Sequence, residues 1–202
     1  ANEVARPEAS CIVYGGRQLG KSALLRHVQR SRHNPDKQYF VVMLDIKHIG
    51  DPNSGENTTA FWGRLRTALK ESHVLGAKID TTKPHLLVQH ICEGMTKNVE
   101  RRVLVLLDEA DNFLDADARQ GFAVVNELRD AMSRTERRFK VVFAGLHNVQ
   151  RFQGIPNQPL AHFGSAIQVG PLEPASAFHL VTYPLESLGY EFPDQSGVLR
   201  IL

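Results

Sequence analysis

The chain has 202 residues, 42% hydrophobic and 23% charged, enough for one sizeable α/β domain or a domain with a small appendage. Its formal net charge of +2 excludes a strong overall basic field that would require a nucleic acid partner. No apolar stretch approaches the roughly 20 residues of a membrane span, and no hydrophobic signal region opens the chain. We therefore expect a cytoplasmic location and no membrane partner.

Five short apolar runs alternate with amphipathic segments along the chain. They are nearly continuous and rich in Val, Ile, Leu and Phe, which is typical of parallel strands covered on both faces. The runs span residues 11–15, 39–46, 103–108, 140–145 and 166–170. This alternation predicts an α/β fold of three layers, with a five-stranded, mostly parallel sheet flanked by helices. Cys11 and Cys92 lie in apolar segments, which favours two buried thiols over a disulfide.

Helical periodicity appears between these runs. Three amphipathic faces are visible: Phe61, Leu65 and Leu69; Leu87, Ile91 and Met95; and Phe122, Val125 and Leu128 or Met132. We expect Thr58 or Thr59 to cap the first of these helices, and Pro84 to stand in the first turn of the second.

Residues 15–22, Gly-Gly-Arg-Gln-Leu-Gly-Lys-Ser, match the P-loop pattern between a predicted strand and a predicted helix. Glycines let the backbone surround phosphates with N–H groups, and a helix N-terminus adds positive potential. The predicted nucleotide-binding residues are Gly15, Gly16, Arg17, Gln18, Leu19, Gly20, Lys21, Ser22 and Ala23. We expect Lys21 to act catalytically on the β- and γ-phosphates and Ser22 to hold Mg²⁺. The structural alternative is a glycine-rich turn with a surface lysine.

The third apolar run ends in two acids, Asp108 and Glu109. Ligands of open α/β sheets bind beyond the carboxyl ends of the strands, where this run and the P-loop both end. Asp108 is predicted to hold Mg²⁺ through water, and Glu109 to act as the general base that activates the attacking water. The alternative is that both acids simply begin a loop. Asp111 is expected to cap or solubilise the next segment.

The fourth run ends at Gly145 and is followed by His147 and Asn148. In P-loop ATPases with an extra strand between the P-loop strand and the acidic strand, a polar residue here touches the γ-phosphate or its water. Asn148 is our first choice for this catalytic role because an amide orients water without changing charge. His147 is the alternate, and the remaining option is that both face solvent. Arg151 is interpreted as a surface residue, and the alternative is that it faces a neighbouring subunit or a phosphate.

Together these motifs resemble the AAA+ class of ATPases over about residues 11–192. The segment YGGRQLGKSALLR resembles the G-x-R-R-x-G-K-T-S-L loop of archaeal-type ATPases and other STAND-like relatives, and LVLLDEAD resembles the Walker B strand of the class. The segment FAGLHN is similar to the sensor strand of replication-initiator ATPases, which implies the sensor role for Asn148. The stretch from residue 167 to residue 192 resembles the passage into a helical lid. The resemblance thus implies a lead-in over 1–10, an ATPase core over 11–172, and the truncated start of a lid over 173–202.

Two departures from the class pattern affect the expected activity. Arg17 and Gln18 occupy the region where ring-forming members have a middle glycine, and residues 157–168 lack the arginine that many members supply to a neighbour. We therefore expect slow turnover in isolation and a likeness to switches rather than to ring motors. The guanine-reading Asn-Lys-x-Asp motif is absent, which favours ATP over GTP.

The leading hypothesis is a Mg²⁺-dependent domain that binds and hydrolyses ATP to ADP and controls an attached effector or sensor module. We expect a protein partner or self-association, with any nucleic acid bound through modules outside this sequence. The alternatives are a DNA-associated initiator or transposition-type ATPase and a nucleotide-binding scaffold that never turns over. A P-loop kinase is disfavoured because no acceptor-binding pattern or arginine-rich lid is visible.

Overall fold

The computed structural model describes residues 2–6, 12–146, 159–164 and 166–191. The chain divides into two compact units, Ala1–Val169 and Gly170–Leu202. The strands of the first unit are β1 (Ile12–Tyr14), β2 (Tyr39–Asp45), β3 (Arg102–Asp108), β4 (Phe139–Gly145) and β5 (Ile167–Gln168). They form one sheet in the order β2-β3-β4-β1-β5. Every pairing in this sheet is parallel, so the predicted sheet is confirmed and is more regular than expected. Each strand ends within two residues of its predicted limits.

Helices cover both faces of the sheet. The helices of the first unit are α1 (Asn2–Ala5), α2 (Lys21–Arg32), α3 (Ala60–Glu71), α4 (Pro84–Lys97), α5 (Asp111–Ala118) and α6 (Ala123–Arg134). Helices α3 to α6 pack with one face of the sheet, and α1 and α2 with the other, which gives the three predicted layers. Short 3₁₀ turns occupy Pro35–Lys37 and Pro159–His162. No helix within the described ranges is long and apolar enough to cross a membrane.

The three predicted helix faces are buried, and Cys92 is a buried free thiol; Cys11 lies outside the described residues. Pro84 is the first residue of α4, as expected. The predicted threonine cap is wrong, because Thr59 occupies the cap position of α3 without a side-chain cap bond. The Thr58 hydroxyl instead donates to Gln120 Oε1 at 3.0 Å, and the Thr59 N–H donates to Asn57 Oδ1 at 3.1 Å.

The lead-in segment packs onto the sheet through α1. Val4 and Ala5 are buried in the smaller of the two apolar clusters. The buried Lys140 ammonium of β4 donates to Val4 O at 2.9 Å and to Arg6 O at 2.6 Å, while the Tyr39 hydroxyl donates to Ala5 O at 3.0 Å. Backbone carbonyls of the lead-in therefore provide the acceptors that a buried ammonium requires.

The second unit contains α7 (Pro174–Glu186), which begins with proline and has Pro184 in its last turn. Several large apolar side chains of this unit are exposed: Leu172, Leu180, Tyr183, Leu188 and Tyr190.

Candidate active site

The carboxyl ends of the parallel strands meet at one edge of the sheet. Tyr14 at the end of β1 stands level with Gly145 of β4, and Asp45 at the end of β2 stands level with Asp108 of β3. The P-loop and the segments that follow β2, β3 and β4 therefore leave the sheet at the same edge, where open α/β sheets bind their ligands. A cleft of about 540 Å³ lies there, lined by Arg17, Gln18, Gly20, Lys21, Ser22, Ala23, Lys47, Glu109 and Leu146.

The P-loop connects β1 to α2 with two glycines in demanding positions. A Cβ atom on Gly15 would stand 2.3 Å from Val169 O, so only glycine allows this close approach to the chain after β5. Gly20 has a φ of 90° and precedes α2, which has neither a side-chain cap nor an acidic residue in its first turn. This helix N-terminus is therefore left with the positive potential that attracts phosphate.

Lys21 is the first residue of α2, and the residue is only 6% exposed. Its ammonium donates to Gly15 O at 3.1 Å and to Gly16 O at 2.7 Å. An ammonium has three N–H donors, so one more can reach an acceptor in the cleft. The two bonds hold the charge against the loop and fix the end of the side chain.

The acidic pair stands at the carboxyl end of β3, and Glu109 is the member of the pair that lines the cleft. Asp108 ends β3 and is 6% exposed, and its Oδ1 accepts a hydrogen bond from the Glu109 N–H at 3.1 Å. Glu109 has a φ of 55°, the left-handed region that residues with a side chain seldom adopt. Glu109 is half-buried and lines the cleft, whereas Asp108 is not among the residues that line it.

Asp111 differs from its predicted role as a solubilising or capping residue. It is half-buried at the start of α5, and its Oδ2 accepts a hydrogen bond from the Leu146 N–H at 2.8 Å. Its Oδ1 is buried and has no hydrogen-bond partner within the described ranges. Burial is the largest influence on the Asp111 carboxyl and raises its pKa above the ordinary value, and the nearby charge of Asp115 raises it further. The hydrogen bond from Leu146 and the charge of Lys21 act in the opposite direction and lower the pKa.

The structure brings most of the predicted site residues together. Gly15, Gly16 and Leu19 belong to the loop but do not line the cleft. Asn148, His147 and Arg151 lie outside the described residues, so the sensor assignment stays a prediction.

Lys47 and Leu146 are cleft residues that sequence reasoning missed. Each directly follows a predicted strand, and a position just after the carboxyl end of a parallel strand is the feature of the sequence that could have identified them as cleft residues. Lys47 adds a third cation to those of Arg17 and Lys21, against the one carboxylate of Glu109 in the lining. A surplus of positive charge suits an anionic ligand.

A family model described as the AAA domain matches residues 5–152. The chain belongs to the AAA domain family. In a comparison with curated proteins, none matches the chain significantly.

The fold of this AAA domain is also found in solved structures. A Walker-type ATPase of Pyrococcus abyssi is 13% identical, with a TM-score of 0.63 over 90% of this chain and 54% of that chain. The Aeropyrum pernix ORC1 protein, solved in complex with DNA, is 11% identical, with a TM-score of 0.58 over 92% of this chain and 47% of that chain. The Aeropyrum pernix ORC2 protein in its ADP form is 11% identical, with a TM-score of 0.55 over 92% of this chain and 49% of that chain. The AAA domain thus spans about half the length of these proteins and shares their fold.

Proposed function

We propose that this AAA domain binds ATP with Mg²⁺, hydrolyses it to ADP and phosphate, and uses the bound state to switch an attached effector or sensor module. The observation that carries the proposal is one cleft whose lining includes both the buried P-loop lysine, Lys21, and Glu109. A lysine at a helix N-terminus can bind phosphate, and a carboxylate in the same cleft can accept a proton from water.

The cleft suits a nucleoside triphosphate in size and charge. Its volume of about 540 Å³ is in the usual range for small-ligand sites, about 300–1,000 Å³. The open N-terminus of α2 and the remaining donor of Lys21 are suited to the β- and γ-phosphates. Arg17 and Lys47 add charge at the rim, and the missing guanine-reading motif favours ATP over GTP.

Two side chains of the site offer oxygen ligands suited to Mg²⁺, an ion that prefers oxygen ligands and keeps several bound waters. The Ser22 hydroxyl at the start of α2 would bind the ion directly, and the Asp108 carboxylate at the end of β3 would hold it through water. When bound, the ion neutralises the phosphate charge that develops during transfer.

Hydrolysis needs a base for the attacking water, and Glu109 is the acid that lines the cleft. As the water oxygen attacks the γ-phosphorus, Glu109 accepts the proton; the bond from the γ-phosphorus to the bridging oxygen breaks, and ADP leaves with that electron pair. Lys21 stabilises the charge on the phosphate oxygens. Asn148 remains the proposed residue for orienting the water. The absence of an arginine from residues 157–168 predicts slow turnover by the isolated chain.

Phosphate release from Mg-ATP tests this proposal, with the unaltered chain compared to Glu109→Gln. We expect slow release by the unaltered chain and a loss of about 100-fold or more in the variant, because general-base catalysis supplies about 10²–10⁴ in rate. ATP affinity should stay nearly unchanged in Glu109→Gln. The matched control is Glu100→Gln, an exposed glutamate in the turn before β3, and it should release phosphate normally. Equal release by Glu109→Gln and the unaltered chain would contradict the role of Glu109. No release by the unaltered chain, with ATP bound, would favour the scaffold that never turns over.

A second candidate function is that of a DNA-associated ATPase. It is supported by the resemblance of FAGLHN to the initiator sensor strand and by the fold shared with the ORC1 protein that was solved with DNA. Fluorescence anisotropy with duplex DNA at two salt concentrations tests this candidate. Salt-dependent binding supports it, and no binding at either salt concentration contradicts it.

A further inference from the structure

We propose that Asp111 is a positioning residue that holds Glu109 in its cleft-facing conformation by binding the end of β4. The inference rests on the proposed function, since it assigns a support to the proposed general base. Asp111 itself does not line the cleft and does not touch the reacting atoms.

Glu109 needs such a support because its backbone conformation is unfavourable. Its φ of 55° lies in the left-handed region, which is unfavourable for a residue with a side chain and is favoured when the surrounding structure holds it. A free segment would relax toward negative φ, and that relaxation would turn the carboxylate away from its present direction.

Three hydrogen bonds fix the segment from Asp108 to Asp111. The Glu109 N–H donates to Asp108 Oδ1 at 3.1 Å within the segment itself. The Ala110 N–H donates to Ala144 O at 2.9 Å, and Asp111 Oδ2 accepts from the Leu146 N–H at 2.8 Å. The last two hydrogen bonds reach β4 and the residue after it. Glu109 therefore lies just before two successive residues that are hydrogen-bonded to the neighbouring strand.

Of these two hydrogen bonds to the neighbouring strand, the one at Asp111 depends on a side chain. Oδ2 binds Leu146, while Oδ1 is buried with no partner in the part of the chain described. A half-buried acid with one buried oxygen left without a partner bears a desolvation cost that a surface residue would not bear. Leu146 also lines the cleft, so the same bond fixes two walls of the site, one at Glu109 and one at the exit of β4.

Asp117 provides a matched control on the same helix. It is fully buried, and its two oxygens accept hydrogen bonds from the Val124 N–H at 3.0 Å and the Val125 N–H at 2.9 Å. Like Asp111 it fixes another element by binding backbone, but it does not line the cleft. Its loss should affect folding stability without a specific effect on turnover.

The experiment compares Asp111→Ala, Asp111→Asn, Asp111→Glu and Asp117→Ala in the whole 202-residue chain. Phosphate release gives kcat and KM, calorimetric titration gives the Kd for ATP, and amide hydrogen exchange reports on the Leu146 N–H. We expect Asp111→Ala to lower kcat about tenfold or more with the Kd for ATP changed less than about threefold, since positioning acts on the base and not on phosphate binding. Asn keeps an acceptor oxygen at the same reach and should retain most of the turnover. Glu keeps the charge but displaces the acceptor, and should behave like Ala.

Exchange at Leu146 should be at least about tenfold faster in Asp111→Ala and Asp111→Glu than in the unaltered chain and in Asp111→Asn, because the amide loses its acceptor. If Asp111→Ala does not fold, Asp111→Glu takes its place in the comparison, because it is expected to have the same effect on turnover and exchange. The proposal is overturned if Asp111→Ala matches the unaltered chain in kcat, if Kd rises as much as kcat falls, or if Asp111→Asn is as impaired as Asp111→Ala. A loss of turnover in Asp117→Ala equal to that in Asp111→Ala would also overturn it, by showing a general effect of folding. If the unaltered chain releases no phosphate, that result contradicts the proposed function and not this proposal. Amide hydrogen exchange at Leu146 then tests the hydrogen bond to Asp111 without a measurement of turnover.

Discussion

Replacing Gly15 by alanine is expected to destabilise the chain and to weaken ATP binding at the same time. The added Cβ would stand 2.3 Å from Val169 O and 3.3 Å from Val169 Cβ, whereas ordinary contacts begin at 3.4 Å. The loop and the chain after β5 must therefore separate by about 1 Å. No side-chain rotation can relieve the clash, because its nearest partner is a backbone oxygen. The separation would stretch the 2.7 Å hydrogen bond from the Val169 N–H to Tyr14 O, which joins β5 to β1.

The magnitude of this effect follows from two contributions. Overpacking of this kind costs about 1–3 kcal/mol, and a weakened backbone hydrogen bond adds about 1 kcal/mol. For a chain of this length the sum of about 2–4 kcal/mol lowers Tm by roughly 4–16 °C. Because Gly15 O also accepts a hydrogen bond from Lys21, displacement of the loop should raise the Kd for ATP as well.

Thermal unfolding followed by circular dichroism measures the change in stability, and calorimetric titration measures the Kd. The matched control is Gly63→Ala in α3, where an added Cβ meets nothing within 4 Å. That variant should unfold at the same temperature or higher, since alanine favours a helix interior over glycine by about 0.5–1 kcal/mol. A Tm for Gly15→Ala within about 1 °C of the unaltered chain would refute the steric reasoning.

Three further predictions concern the cleft and the buried thiol. Lys47→Ala should weaken ATP binding by about 3–10-fold and make it less salt-dependent, because a charge at the rim of the cleft contributes about 1 kcal/mol. Calorimetric titration at two salt concentrations measures both effects. An unchanged Kd for ATP would exclude a contact between Lys47 and a phosphate. Ser22→Ala should raise the Mg²⁺ concentration needed for half-maximal phosphate release by about tenfold or more, and an unchanged Mg²⁺ titration would contradict the hydroxyl ligand. Burial, helped by Asp130 and Glu93 against Arg134, raises the pKa of the Cys92 thiol. In a Cys11→Ser background, iodoacetamide should therefore label the folded chain at least about tenfold more slowly than the urea-unfolded chain at pH 8, and equal rates would contradict the burial.

The sheet was predictable because its signal is local. Each strand is a run of apolar residues covered on both faces, and each run is bounded by polar or glycine-rich segments. Helix α5 was not predicted, since its sequence DNFLDADA has three acids and only two large apolar residues. Tertiary packing stabilises it: the Phe113 ring lies 5.2 Å from that of Phe61 and 6.4 Å from that of Phe143, measured between ring centroids. Contacts of this kind cannot be found from periodicity within eight residues.

The residues of the candidate site likewise fall into two groups, those predictable from a local motif and those that depend on the tertiary fold. The P-loop and the acidic pair are contiguous motifs, so the sequence alone predicts them. Lys47 and Asp111 depend on which loops the strand order brings together, and the order β2-β3-β4-β1-β5 has no local sequence signal. Asp111 and its partner Leu146 are 35 residues apart in the chain, and their hydrogen bond requires β3 and β4 to be neighbours.

The central claim is that the cleft between the P-loop and Glu109 binds ATP, and the affinity of Lys21→Ala tests it most directly. Lys97→Ala, at the exposed end of α4, is the matched control for the loss of a lysine. In calorimetric titrations with Mg-ATP, Lys21→Ala should bind at least about tenfold more weakly than the unaltered chain, because a charged hydrogen bond to phosphate contributes about 1.5–3 kcal/mol. Lys97→Ala should bind as the unaltered chain does. Equal affinities for the unaltered chain and a folded Lys21→Ala variant, or no binding by the unaltered chain, would contradict the account.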